Sequence, residues 1–183
     1  MAVSVSSPED VVNLSLARIG YSKRIGSLLD GSMAARIALT VYAQTRDKML
    51  RDGDWDFARK TAALVASGQS APPPWSQSYA YPADSLRVRD LIVASFDPLN
   101  PIPSRWVIAN DPVAGKVILS ATAYATIVYT FKCTTPTLWE SSFVEALAAA
   151  IGRRLAPLLN REATQMAAQD EMEQDKVAIG EDG

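Results

Sequence analysis

Between residues 30 and 60 the apolar positions Ala34, Ile37, Ala38, Val41, Tyr42 and Met49 recur at three- and four-residue steps with Thr45, while Arg36, Arg46, Lys48 and Arg51 fall largely on the other side. That spacing predicts a helix over 32–52 with one buried face. Asp30 and Ser32 are available as N-caps, and Gly53 ends the pattern after a basic last turn. Trp55 and Phe57 follow at once, two large rings placed to anchor the helix end. A shorter helix is predicted over 8–20. Ser7 caps it, Pro8 takes the first helical position, Asp10 completes a capping box, and Val12, Leu16 and Ile19 form the stripe before Gly20 closes it. The link that follows carries Ile25, Leu28 and Leu29, expected to tuck beneath both helices. A third helix is predicted over 138–156 from Phe143, Leu147, Ile151, Leu155 and Leu158, with alanines at 146, 148, 149 and 150 that permit close approach. It is expected to pack on the 32–52 helix, and Pro157 should kink or end it.

Other stretches change period. Residues 61–67 read as a further helical turn or a short strand. Residues 68–82 hold three consecutive prolines with Trp75, Tyr79 and Tyr81, which forbids helix and predicts a surface arm or a loop pinned back by its own rings. From Ser85 onward the pattern alternates, with a phase shift near Asp90 that predicts a bulge. Residues 97–104 form a proline-rich turn, residues 105–110 and 116–120 flank the hairpin signal DPVAG, and residues 125–133 are the strongest strand, rich in valine, threonine and aromatics. The expected fold is α+β: a mostly helical bundle with a small antiparallel β-sheet of three or four strands, over 85–133, inserted before the last long helix. Residues 1–161 make the body and residues 162–183 a tail that is helical or disordered until bound.

Charge sharpens that division. Residues 1–161 carry 17 basic and 13 acidic side chains, a net of +4, whereas residues 162–183 carry 1 basic and 7 acidic, a net of −6. The tail has good helix formers but little apolar surface, so alone it is marginal in water. Nothing in the sequence directs the chain to a membrane or out of a cell. Cys133 is the only cysteine, flanked by Phe131 and Tyr129 at short range, and reads as a buried, inert thiol.

Chemistry is sparse. The chain has no histidine, which removes the commonest general base and most transition-metal sites. No phosphate-cradling glycine motif occurs, and no cofactor is expected. Asp52, Asp54 and Asp56 lie close together, but no glutamate follows to complete a calcium loop, and helix termination accounts for them as well. No enzymatic activity is expected. Two alternatives stay open: a wall-degrading hydrolase using carboxylates such as Glu140 and Glu145, which a separation of about 5–10 Å between two cleft carboxylates would favour, and a DNA-associated prophage module, which a basic stripe on one face would favour.

Several patterns in order add a resemblance: NLSLARIG (residues 13–20) with Ile25, Ser27 and Leu28; Ala34, Ala35, Tyr42 and Arg46 on the main helix; WDFA (55–58); YPAD and the basic strand after it (81–89); and LWESSFVEALAAAIGRRLA (138–156). Together they resemble the head-to-tail adaptor family of short-tailed bacteriophages, which includes the tail tubular protein A group, over residues 11–160. The chain departs from that family at Thr134 and Thr135, where an acidic residue is often met. The resemblance implies a structural virion protein at the portal vertex, present in the host cytoplasm during assembly. Such proteins form a ring, typically a dodecamer, under the portal protein, and this chain is expected to be a monomer when free. The ring extends the channel through which genomic DNA passes and receives the downstream tail protein. The C-terminal segment clasps the portal, which nominates Arg153, Arg154, Arg161, Met166, Gln169, Met172 and Val177 as portal contacts. Trp75, Tyr79 and Tyr81 are the candidates for a subunit or tail interface.

Overall fold

The computed structural model describes residues 5–92 and 105–180, with side chains as far as residue 160. The chain divides into two compact units, a helical one (Met1–Met49 with Thr135–Gly183) and a β unit (Leu50–Thr134).

The helical unit contains α1 (Pro8–Arg18), α2 (Met33–Asp52, whose last turn from Leu50 onward counts with the β unit) and α3 (Ser141–Gly180). The expected capping box opens α1: Ser7 Oγ accepts from the Asp10 amide at 3.2 Å, and Asp10 Oδ2 accepts from the Ser7 amide at 3.0 Å. Its carboxyl is held below the usual range, chiefly by the Ser6 amide that also donates to it. Ser32 caps α2 by accepting from the Ala35 amide at 3.2 Å. Asn13 fixes the link between the two helices, since its Oδ1 accepts from the Ile25 amide at 2.8 Å while its Nδ2 donates to the Ile25 carbonyl at 3.0 Å. Ile25 is buried and Leu28 partly so, but Leu29 points to solvent, contrary to expectation.

Helix α3 packs closely on α1, not chiefly on α2. Val11, Val12 and Leu16 of α1 and Phe143, Leu147, Ile151 and Leu155 of α3 are fully buried. Gly152 explains the choice of partner: a Cβ there would lie 3.2 Å from both the Ser15 carbonyl oxygen and Ile19 Cγ2, so its lack of a side chain lets the α1 backbone approach. Pro157 does not end α3, which runs on to Gly180.

The β unit overturns the expected architecture. Among the described residues six strands form two three-stranded antiparallel sheets, in place of one sheet inserted in a bundle. They are β1 (Arg59–Ala63), β2 (Gln77–Ala80), β3 (Ser85–Ile92), β4 (Trp106–Asp111), β5 (Gly115–Ser120) and β6 (Thr126–Phe131), in orders β1-β6-β3 and β2-β5-β4. The fold is α+β with small sheets, not mostly a helical bundle. The two extra strands come from segments without a clean alternating pattern: β1 follows a 3-10 turn at Asp56–Ala58, and β2 lies within the aromatic stretch expected to be an arm or loop. The bulge expected near Asp90 is present as a register shift between Val88 and Asp90 against β6. The turn expected over 97–104 lies outside the described residues. Tyr79, Ile118, Val88, Leu91, Ile127 and Tyr129 form the core where the two sheets meet, with Ala62, Tyr81, Trp106 and Phe131 at its margin.

Candidate functional site

The segments nominated for the portal lie on α3. Arg153 and Arg154 are exposed and adjacent, on the side of α3 away from the buried Ile151 and Leu155. Arg161, Met166, Gln169, Met172 and Val177 fall on the continuation of the same helix, and their side chains lie beyond the described ones. An unbroken 40-residue helix spans about 60 Å at 1.5 Å per residue. It thus joins the buried stripe of its first half to the acidic sequence of its second.

The aromatic trio of the other nominated interface is unequally placed, with Tyr79 buried and Trp75 and Tyr81 half-buried. Tyr79 sits in the core with its hydroxyl donating to the Thr122 carbonyl at 2.8 Å. Tyr81 packs at the core margin, receives a hydrogen bond from Ser85 Oγ at 3.1 Å, and has Lys116 Nζ 3.9 Å from its ring centroid. Trp75 is half-buried in a turn closed by its amide on the Pro72 carbonyl at 2.9 Å.

The carboxylates have local partners. Asp54 Oδ2 accepts from Arg59 Nη2 at 2.7 Å, and that bond is the first cause of its lowered pKa. Glu145 pairs with Arg18, tying α3 to α1. Among the described residues no group of three or more His, Cys, Asp or Glu is placed to hold a metal ion. Cys133 is fully buried, as expected. No helix among the described residues is long and apolar enough to cross a membrane. An open groove of about 370 Å³ in the helical unit is lined by Asp10, Asn13, Leu14, Ala17, Tyr21 and Arg24, but Asp10 and Asn13 are engaged in the cap and the link just described.

Two clusters in the β unit escaped the sequence reading. In the first, Asp84 accepts from Lys60 Nζ at 2.7 Å and from Tyr129 Oη at 3.1 Å, and Lys60 Nζ lies 4.1 Å from the Phe131 ring centroid. Lys60 lowers the pKa of Asp84 and is itself raised by that bond, while burial and then the bond to Asp84 raise Tyr129. In the second, Arg89 caps the end of α2. Its Nη2 donates to the carbonyls of Arg51 (3.1 Å), Leu50 (3.4 Å) and Gly53, and its Nε to Thr130 Oγ1 at 2.8 Å. Those carbonyls are the acceptors that a helix terminus leaves without partners. The alternation of Arg87 and Arg89 marked a strand, but only the fold brings that strand beside the helix end. Trp55 covers the same corner, where a Cβ at Gly53 would collide with its indole.

The chain matches no protein-family model, and no curated protein shows significant similarity to it.

Proposed function

We propose that this chain is a head-to-tail adaptor of a short-tailed bacteriophage, a structural virion protein and not an enzyme. Copies of it assemble beneath the portal protein as a ring, of twelve as in the family it resembles, extend the DNA channel and receive the downstream tail protein. The free protein is a monomer, and portal docking drives ring formation.

The observation that carries the proposal is the composition of α3 along its length. Its first half is rooted by Phe143, Leu147, Ile151 and Leu155, all fully buried. Its sequence beyond residue 161 offers few large apolar anchors, among them Met166, Met172 and Val177, and a net charge of −6. A segment of that kind gains most of its order from a partner, and its charge selects a partner surface that is basic. Arg153, Arg154 and Arg161 mark where the rooted half gives way to the acidic half and add donors for carboxylates on the portal. The motif series over residues 11–160 supports the same assignment.

The test is reconstitution with the portal protein of the same phage, read as mass in solution. The full chain forms a ring-sized complex with portal. A chain lacking residues 162–183 keeps its fold and does not join. Attachment by the truncated chain refutes the clasp, and failure of the full chain to join portal refutes the adaptor assignment.

A further inference from the structure

Helix α1 carries a groove on the side opposite its buried face. Gly20, at φ 77°, turns the chain back after α1, and the paired bonds between Asn13 and Ile25 pin the returning link beside the helix. The space between helix and link, about 370 Å³, is lined by Leu14, Ala17 and Tyr21 together with Lys23 and Arg24. Both cations are exposed, and neither has a hydrogen-bond or ion-pair partner among the described residues. The carboxylate at the groove, Asp10, is occupied by the Ser6 amide and hydroxyl and the Ser7 amide, each at 3.0 Å. Residues 1–4, which adjoin this end of α1 in sequence, hold no charged side chain. The groove is therefore held open by its own backbone and combines apolar lining with two cations that lack a counter-charge.

The chain itself holds a segment of matching character. In the second half of α3, Met172 stands within the run DEMEQD, residues 170–175. On a helix Ala168, Met172 and Ile179 share one side, and Glu171 and Asp175, one turn apart, border that side. Met166 and Val177 fall on roughly the opposite side, so the edge that carries Met172 is separate from one left for the portal. A chain cannot offer this edge to its own groove. The backbone of α3 is helical from Ser141 to Gly180, and α1 meets it where Ser15 lies against Gly152. Met172 is thus about 30 Å along the helix from that contact, whereas no part of α1 is more than about 11 Å from Ser15. Only the α3 of another copy can reach the groove.

We infer that the Met172 edge of α3 in one copy seats in the α1 groove of a second copy, with Glu171 and Asp175 meeting Lys23 and Arg24. Charge favours this occupant: residues 162–183 carry a net −6 and residues 1–161 a net +4, so two tails repel each other while tail and body attract. The contact is heterologous, the tail of one copy on the body of the next, and its repetition makes a ring when the rotation closes. Two free copies hold it weakly, because only a short stretch of each takes part. Copies held side by side meet at a high effective concentration, which makes the same contact strong. The inference goes beyond the adaptor assignment and does not need the portal; where that assignment holds, it supplies the bond between ring neighbours.

The experiment mixes two full-length variants without portal, Ala17→Cys in the groove and Ala168→Cys on the Met172 side, at about 50 mM salt, and oxidises them. Cys133 is fully buried and takes no part. The mixed disulfide dimer exceeds either like-with-like dimer at least about fivefold. Lys23→Glu with Arg24→Glu in the groove copy, both at exposed positions, leaves the thermal melt unchanged and lowers the mixed dimer at least about fivefold. Glu171→Lys with Asp175→Lys in the other copy restores it, and about 500 mM salt removes it. Dimers in statistical proportion, a yield that ignores the charge reversal, or no rescue by the double reversal overturns the inference. A chain carrying both cysteines that closes on itself overturns it too, as does loss of portal joining in Lys23→Glu with Arg24→Glu when no mixed dimer forms, which would give the groove to the portal. Failure of the unaltered chain to join portal refutes the adaptor assignment alone and leaves this inference to the cross-link.

Discussion

Replacing Arg89 by alanine should be among the most damaging single changes in the β unit. The guanidinium is mostly enclosed, its side chain 17% exposed, and its donors reach Thr130 Oγ1 and the carbonyls that end α2. A hydrogen bond from a charged donor contributes about 1.5–3 kcal/mol. The Nη2 group is shared among three carbonyls and counts as roughly one such bond, and the Nε bond to Thr130 as a second. Arg51 is exposed, so water can replace part of the loss there, whereas Leu50 and Thr130 are buried and their oxygens stay unsatisfied. The expected destabilisation is therefore about 2–4 kcal/mol. Arg87→Ala is the internal control: its guanidinium is exposed and makes one 3.4 Å contact to the Arg51 carbonyl, so its loss should stay under about 1 kcal/mol. Arg89→Lys keeps the charge but not the fork, and should fall between the two. Urea unfolding followed by tryptophan fluorescence measures all three, with Trp55 reporting on this corner. If Arg89→Ala and Arg87→Ala shift stability equally, the guanidinium is not the cap of α2.

Gly152→Val should destabilise the helical unit by about 2 kcal/mol, because its branches meet the Ser15 carbonyl and Ile19 where a Cβ alone is already at 3.2 Å; a thermal melt equal to that of the unaltered chain would contradict this. Tyr42→Phe should be neutral or stabilise by up to about 1 kcal/mol, since the Tyr42 hydroxyl is buried with no hydrogen-bond partner and burial pushes its pKa up to about 12; a loss above that size in urea unfolding would mean the hydroxyl has a role. The Lys60, Asp84 and Tyr129 cluster sets a pH window. The lowered pKa of Asp84 gives stability that is present above about pH 4 and lost as pH falls through its folded value, while the raised values of Lys60 and Tyr129 give stability present below about pH 10 and lost above it. Asp84→Asn should abolish the acid limb and weaken the alkaline one, since burial still raises Tyr129, and limbs unchanged in urea midpoints from pH 3 to 11 would place the titration elsewhere.

Periodicity was enough for the helices because each has a strong stripe and a chemical cap: Ser7 with Asp10, and Ser32, both cap as their types imply. Pro157 does not end α3, because a proline removes only one backbone donor and the buried residues on both sides of it, Leu155 and Leu159, keep the helix in place. The second sheet was hidden for a different reason. In β2, Ser78 and Tyr79 are both buried, so neither face alternates in polarity, and Tyr79 read as part of an arm when it is core. β1 exposes most of its residues, and its pairing with β6 is a long-range fact that no local pattern carries. Choice of helix partner turned on Gly152, whose role depends on what faces it.

The most direct test of the central claim is the mass of the purified chain in solution, alone and after mixing with the portal protein of the same phage. The adaptor assignment predicts a monomer alone and a ring-sized complex with portal, lost when residues 162–183 are removed. A chain that remains free in the presence of portal would contradict it.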